Sequence, residues 1–247
     1  MTSSDLWDDD VASRYDDASD PMFSPEVLDP TVDLLAELAG AGPALELAIG
    51  TGRVAVPLHR RGVPVAGIEL SPPMVAVLRT KADDATIPVV VGDMATAEAP
   101  GAGTFRLVYL VFNTIGNLVT QDAQVECFAN AARHLAPGGR FLIEVGVPSL
   151  RRLPPTSSAV PFDVSAKHVG FDTFDLVTQQ AVSHHYTREP DGRFRYGFLN
   201  FRFVWPSELD LMARLAGLER EHRWAGWDRS PFTSESRSHV SVWRKPA

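Results

Sequence analysis

The chain is poor in the residues that mark several common protein classes. Cys127 is its single cysteine, so no internal disulfide can form, and the helix-like setting Q-V-E-C-F-A-N-A-A-R-H-L reads as a small packed residue and not as a catalytic thiol. Basic residues are scarce: 23 Lys and Arg against 31 Asp and Glu give a formal net charge of −8. That balance argues against a nucleic-acid partner, because phosphate binding needs clustered cations. No apolar run is long enough to span a membrane, and the opening M-T-S-S-D-L-W-D-D-D lacks the basic and apolar regions of a signal peptide. A cytoplasmic protein without membrane contact is therefore expected. H-E-x-x-H, paired C-x-x-C and clustered-carboxylate patterns are missing, so no metal centre is expected, and the hydrolase elbow G-x-S-x-G is missing too.

What the chain does have is concentrated between Ala44 and Gly52, in the run A-L-E-L-A-I-G-T-G. Leu45, Leu47 and Ile49 suit a buried strand, and Gly50 and Gly52 can take positive φ and present no Cβ to a ligand approaching the backbone. V-A-G-I-E-L follows after a helix-length interval and ends a second apolar strand in Glu69 and Leu70. An acid about 20 residues past a glycine turn is placed to accept hydrogen bonds from the ribose hydroxyls of a nucleoside cofactor. I-P-V-V-V-G-D-M ends a third strand in Asp93 and Met94, and F-R-L-V-Y-L-V-F ends a fourth in Asn113 and Thr114. L-A-P-G-G-R-F-L-I-E-V supplies a turn and a fifth strand.

From Leu45 to Val145 this series resembles the class I S-adenosylmethionine-dependent methyltransferases. The resemblance implies that Glu46, Gly50, Gly52 and Arg53 form the first cofactor motif, with Ala48 where many members have glycine. It implies further that Glu69 holds the ribose, that Asp93 accepts from the adenine amino group, and that Met94 covers the adenine ring. Asn113 and Arg53 would lie near the methionine moiety, and Met74 near the adenosine pocket unless it is simply a core residue. In V-A-S-R-Y-D-D, similar to a segment preceding the core in many small-molecule members, Tyr15 would close over the cofactor. The fold expected is a Rossmann-like, doubly wound, mostly parallel α/β sheet with an antiparallel last strand.

The divisions expected along the chain are an N-terminal lid over 1–24, a cofactor-binding core over 25–147, a connection and inserted antiparallel hairpin over 148–205, and a closing helix and strands over 206–247. Asp29-Pro30 reads as the start of a helix, and Ser71-Pro72 as the start of another just after Glu69. The hairpin is read as two runs, 173–186 and 193–205, joined by T-R-E-P-D-G, with a bulge near Leu199 and Asn200 to bring both sets of aromatics to one face. Such a hairpin would roof the acceptor pocket or pair subunits, which makes a homodimer an option.

Methyl transfer from a sulfonium is a direct displacement in which alignment matters most, and a hydroxyl acceptor gains from a base near neutral pKa. His184 and His185 are the candidates on the hairpin, with Tyr15 a third, and adjacent strand residues face opposite ways, so at most one histidine can enter the pocket. By sequence, both read more readily as surface residues of the hairpin than as a base. The reading is a small-molecule methyltransferase using S-adenosylmethionine, with an aromatic or sugar-containing acceptor suggested by the aromatic hairpin. Two alternatives stay open: a nicotinamide-dependent reductase, against which stands the missing G-x-G-x-x-G, and a non-catalytic S-adenosylmethionine-binding protein of the same fold.

Overall fold

The computed structural model describes residues 9–16, 21–148 and 157–247. Its centre is a seven-stranded sheet. Strands β1 (Ala44–Leu47), β2 (Val65–Glu69) and β3 (Val89–Val91) run parallel beside one another, and β4 (Phe105–Leu110) and β5 (Leu135–Gly146) continue the parallel pairing on the other side of β1. The last strands, β10 (Glu219–Trp224) and β11 (Ser238–Arg244), complete the order β10-β11-β5-β4-β1-β2-β3, with β11 antiparallel to β5. The order reverses direction at β1, between β2 and β4, and in open parallel sheets ligands bind in the crevice at the carboxyl ends beside such a switch.

Both faces of this sheet are covered, which explains why β1 and β2 are buried at every position instead of alternating. One apolar layer gathers Leu45, Leu47, Ile68, Phe128, Phe141 and Trp243; the other gathers Leu35, Leu58, Leu78, Leu107 and Tyr109. The covering helices include α2 (Pro25–Ala39), α3 (Ala55–Arg60), α4 (Pro72–Arg79), α5 (Gln121–His134) and α6 (Pro206–Leu215). Helix α4 starts where expected, since Ser71 Oγ accepts from Met74 N at 3.2 Å and Pro72 takes the first helical position. Helix α2 starts earlier than Asp29-Pro30 indicated: Pro25 takes the first position after an extended Ser24, and Pro30 lies inside the helix. A Pro is equally at home in either place by sequence, and only the extended Ser24 distinguishes them. Cys127 is fully buried in α5 and burial pushes its thiol up, as befits a packing residue. Among the described residues, no helix is long and apolar enough to cross a membrane.

The insertion after β5 is larger than a hairpin. It is a four-stranded antiparallel sheet, β6 (Ala159–Val164), β7 (His168–Phe174), β8 (Gln180–Arg188) and β9 (Phe194–Arg202), paired in that order. The run 173–186 therefore contains a chain reversal. Asp175 Oδ1 accepts from Val177 N at 2.9 Å and from Thr178 N at 3.4 Å, and Gln179 takes φ 60, which together turn β7 back into β8. No bulge interrupts β9 either: its register with β8 is continuous from Phe194 to Arg202. The two aromatic sets consequently occupy opposite faces, with Tyr196 and Phe198 outward and Leu199 and Phe201 toward the core.

Candidate active site

A cavity of about 770 Å³ lies between the carboxyl ends of the parallel strands and the inner face of the inserted sheet. Its floor holds Ala48, Gly50, Glu69, Met74 and Asn113, and Tyr15 closes one side. Its roof holds Asp172, Ser183, His185, Phe174 and Phe201. A side recess of about 50 Å³ shares Ala48 and Glu69 with the cavity and adds Leu70, Asp93 and Met94.

The floor is shaped by a turn that β1 cannot make with ordinary backbone. Ala48 takes φ 54 and Gly50 φ 57, so two left-handed residues bracket Ile49. Alanine tolerates this at a cost of roughly 1–2 kcal/mol. A Cβ built on Gly50 would meet nothing within 4 Å, so the backbone there stands open to the cavity. Gly52 serves a different purpose: a Cβ there would fall 2.3 Å from Leu78 Cδ1, and its hydrogen lets α4 pack against the turn. Glu69, 6% exposed, accepts from Gly50 N and Ser71 N, both at 2.8 Å, one on each carboxylate oxygen. Burial raises its pKa, and these N–H donors oppose the rise. Each oxygen keeps further acceptor capacity toward the cavity. Asp93 is exposed at the recess and uses Oδ1 to accept from Ala95 N at 2.8 Å, while Met94 and Met74 are buried apolar walls.

Glu46 and Arg53 stand behind the cavity and are not among its lining residues. Glu46 accepts from the Tyr109 hydroxyl at 2.9 Å, and burial pushes its carboxyl up to about 8. The guanidinium of Arg53 lies 4.9 Å from the centroid of the Phe112 ring and donates to Met22 O at 3.2 Å. At the end of β4, Phe112 and Asn113 both take φ 60. Two successive non-glycine residues in that region hold strain, here fixed by Glu144, whose carboxylate accepts from Phe112 N at 2.5 Å, and by Asn113 Oδ1, which accepts from Gly146 N at 2.5 Å. Tyr15 sits on helix α1 (Asp9–Tyr15), edge-on to Phe23 with ring centroids 6.4 Å apart, and burial raises its pKa. The following Asp16 accepts from Thr51 Oγ1 at 2.6 Å and pairs with Lys81, which ties the N-terminal segment to the glycine turn. The rest of the lid expected over 1–24, at 1–8 and 17–20, lies outside the described residues, as does 149–156 of the connection.

On the roof, His185 lines the cavity and His184 does not. His184 stacks on Phe171 with centroids 4.8 Å apart on the outer face, and its Nδ1 lies 2.8 Å from the Tyr196 hydroxyl. It cannot reach a substrate in the cavity. Several cavity residues escaped the sequence reading, notably Asp172, Ser183 and Phe201, whose shared facing depends on the β7–β8–β9 register. Glu144 and Tyr109 escaped it as well; the one available signal was a lone polar residue inside an apolar strand.

A switch-point cavity floored by a glycine turn and two strand-end carboxylates defines a nucleoside-cofactor enzyme of the α/β class. Comparisons with known proteins fix the family. Residues 44–139 match the model described as a methyltransferase domain. The chain is similar to the CcbJ methyltransferase from Streptomyces caelestis, 34% identical with a TM-score of 0.85, covering 100% of this chain and 99% of that one. It is 25% identical to a cypemycin N-terminal methyltransferase from Streptomyces sp, over 98% of each chain. CalS10, an amino pentose methyltransferase from Micromonospora echinaspora whose structure contains S-adenosylmethionine, shares the fold at 20% identity and a TM-score of 0.71, over 94% of this chain and 95% of that one. The chain belongs to the S-adenosylmethionine-dependent methyltransferases, and S-adenosylmethionine is its cofactor. Nothing supports the nicotinamide reading.

Proposed function

We propose that this enzyme methylates a small amine held beneath the inserted sheet, with the cofactor seated along the ends of β1, β2 and β3. The observation that carries the reading is that one cavity joins the Gly50–Glu69 floor to the Asp172 carboxylate of the roof. The floor residues fit the cofactor: Gly50 leaves room for it, Glu69 offers acceptor capacity to a ribose, Asp93 to an adenine amino group, and Met94, Leu70 and Met74 offer apolar surface. Ala48 contributes backbone at the turn, and Asn113 and Tyr15 border the cavity where an amino-acid moiety would extend. Glu46 and Arg53 would act from behind, by fixing the turn and the Phe112 ring.

When bound, S-adenosylmethionine supplies an electrophilic sulfonium methyl. The protein's own work is alignment and exclusion of water, which can contribute several kcal/mol. Asp172 would anchor the acceptor's ammonium, and Phe162, Phe174, Phe201 and Phe203 would cover its apolar or sugar body. The relatives support an amine, since one is an N-terminal methyltransferase and another acts on an amino pentose.

Three further readings go with this proposal. The net charge of −8 disfavours nucleic acid as acceptor, and a single cysteine needs no oxidising compartment, in keeping with the cytoplasm. Tyr186 and Tyr196, exposed on the outer roof with centroids 4.9 Å apart, favour a homodimer through that face.

Calorimetry with S-adenosylmethionine, S-adenosylhomocysteine and NADH, followed by methyl-transfer assays on paired amine and hydroxyl acceptors, tests the reading. Micromolar binding of the first two and methylation of amines alone is expected. Methylation confined to hydroxyl acceptors would overturn the amine assignment.

A further inference from the structure

Across the roof runs a continuous line of polar side chains from the cavity to the surface. Asp163 Oδ2 lies 2.6 Å from His168 Nδ1, His168 Nε2 lies 3.1 Å from His185 Nδ1, and His185 Nε2 lies 3.1 Å from Ser183 Oγ. Ser183 also bonds the Asp172 carboxylate, its register partner on β7. Asp172, Ser183 and His185 line the cavity, whereas the Asp163 side chain is 45% exposed. Both ring nitrogens of His185 are engaged within this line, so the groups left to meet an acceptor are the Ser183 hydroxyl and the Asp172 carboxylate.

We propose that Ser183, His185, His168 and Asp163 form a proton relay that carries one proton from the bound acceptor to the surface before methyl transfer. The inference rests on the amine reading above and adds to it the route of the proton.

The chemistry balances along the line. An ionised Asp163 fixes a hydrogen on His168 Nδ1, leaving Nε2 as an acceptor; His185 then donates from Nδ1 and accepts from Ser183 at Nε2. An ammonium held by Asp172 gives one proton to Ser183 Oγ. The serine's own hydrogen passes to His185 Nε2, and the hydrogen on His185 Nδ1 passes to His168 Nε2. His168 becomes an imidazolium beside Asp163, Ser183 turns its new hydrogen to Asp172, and the amine keeps a lone pair for attack. Water at the half-exposed His168–Asp163 end then takes the proton from His168 Nδ1, which leaves both imidazoles as Nε2–H; the starting Nδ1–H forms return when the rings exchange tautomers with water after product leaves the cavity.

The groups facing His185 agree with this direction of flow. They are His168 and Asp172 on β7, His184 beside it on β8, the Phe162 ring of β6 with centroids 5.3 Å apart, and Gly197 on β9, which adds no charge. Burial, followed by the neighbouring His168, lowers the pKa of His185, with Asp172 opposing, so it passes a proton onward and does not retain it.

The test uses the full chain, with imidazole tautomers read by long-range nitrogen–proton NMR. At neutral pH both His168 and His185 should carry hydrogen on Nδ1, the less common tautomer of free histidine. Acidification that loads a proton onto the line should switch His185 to Nε2–H. His168→Phe should abolish that switch and move the titration of His185 upward, because the neighbouring imidazole is gone. A wild-type His185 that is Nε2–H at neutral pH, or a His168→Phe variant whose His185 switches and titrates as in the wild type, would overturn the relay. Binding of S-adenosylmethionine on the same samples separates the two proposals: its failure counts against the cofactor site, while the tautomer and titration of His185 in wild type and variant decide the relay.

Discussion

Tyr109 on β4 donates its hydroxyl to Glu46 on β1 across 2.9 Å, and both side chains are buried between strands joined in register. The contact turns the acid of the first motif into an internal strut whose protonation is coupled to folding. Unfolded, Glu46 titrates as an ordinary glutamate; folded, burial raises its pKa to about 8. The folded state therefore binds the extra proton between those values, and its stability falls as pH rises through that window. Glu46→Gln should remove this slope, so thermal melts at pH 6 and pH 9 should differ less in the variant than in the wild type. An unchanged difference would show that Glu46 is ionised in the fold.

Ala48 tests the turn. Replacing it with glycine should change stability by less than about 1 kcal/mol, because relief of the left-handed backbone is offset by the greater freedom of the unfolded chain. Ala48→Val should cost about 2 kcal/mol or more, since a β-branched residue is poorly tolerated at φ 54. Denaturant melts of the two variants read the contrast directly, and a valine variant as stable as the wild type would mean that the turn relaxes.

Glu69→Gln and Asp93→Ala should each weaken S-adenosylmethionine binding by roughly 10- to 100-fold, the loss expected for a hydrogen bond to a charged group. Glutamine is the milder change at 69, since its single amide oxygen can still accept from one of Gly50 N and Ser71 N, whereas alanine would release both. Calorimetric affinity equal to wild type in both variants would remove these acids from the cofactor site.

Ser183→Ala should slow methylation of an amine by roughly 100-fold near pH 7, within the range for acid–base assistance. The deficit should shrink toward pH 9–10, where more of the acceptor arrives already deprotonated. A constant deficit across pH, seen in kcat against pH, would assign Ser183 to packing.

Glu208→Ala tests how the roof is moored. Arg202 at the end of β9 is buried, donates to Glu208 on α6 at 2.6 Å and to Gln124 on α5 at 2.5 Å, and is also bonded to Gln179 at 2.9 Å. Removing the carboxylate leaves a buried guanidinium short of its counter-charge, at a cost of about 3–5 kcal/mol. Chemical denaturation should show this loss, and a change below about 1 kcal/mol would mean that the two glutamines suffice.

The core was legible because its chemistry repeats locally. Apolar strands end in Glu69, Asp93 and Asn113, and each of those residues borders the cavity or its recess. The roof was not, for two physical reasons. The turn at Asp175 is made by side-chain capping and a left-handed Gln179, with neither Gly nor Pro to announce it. Asp172, Ser183 and Leu199 share a face only because three strands align, and register between strands is invisible in any one of them. Tyr109 and Glu46 make the same point across 63 residues of chain.

The inserted sheet leaves the core after Gly146 and rejoins it at Arg202, just ahead of α6. The roof residues Phe162, Asp172, Phe174, Ser183, His185 and Phe201 lie within that single detour, with Phe203 just past its end, and the floor residues Ala48, Gly50, Glu69, Asp93 and Asn113 all precede it. On the function proposed above, donor and acceptor recognition are thus written in separate paragraphs of one chain. A new substrate can be acquired by rewriting the second while the first is copied unchanged, and an engineer can exchange the detour as a cassette, provided that Arg202 and its partners travel with it.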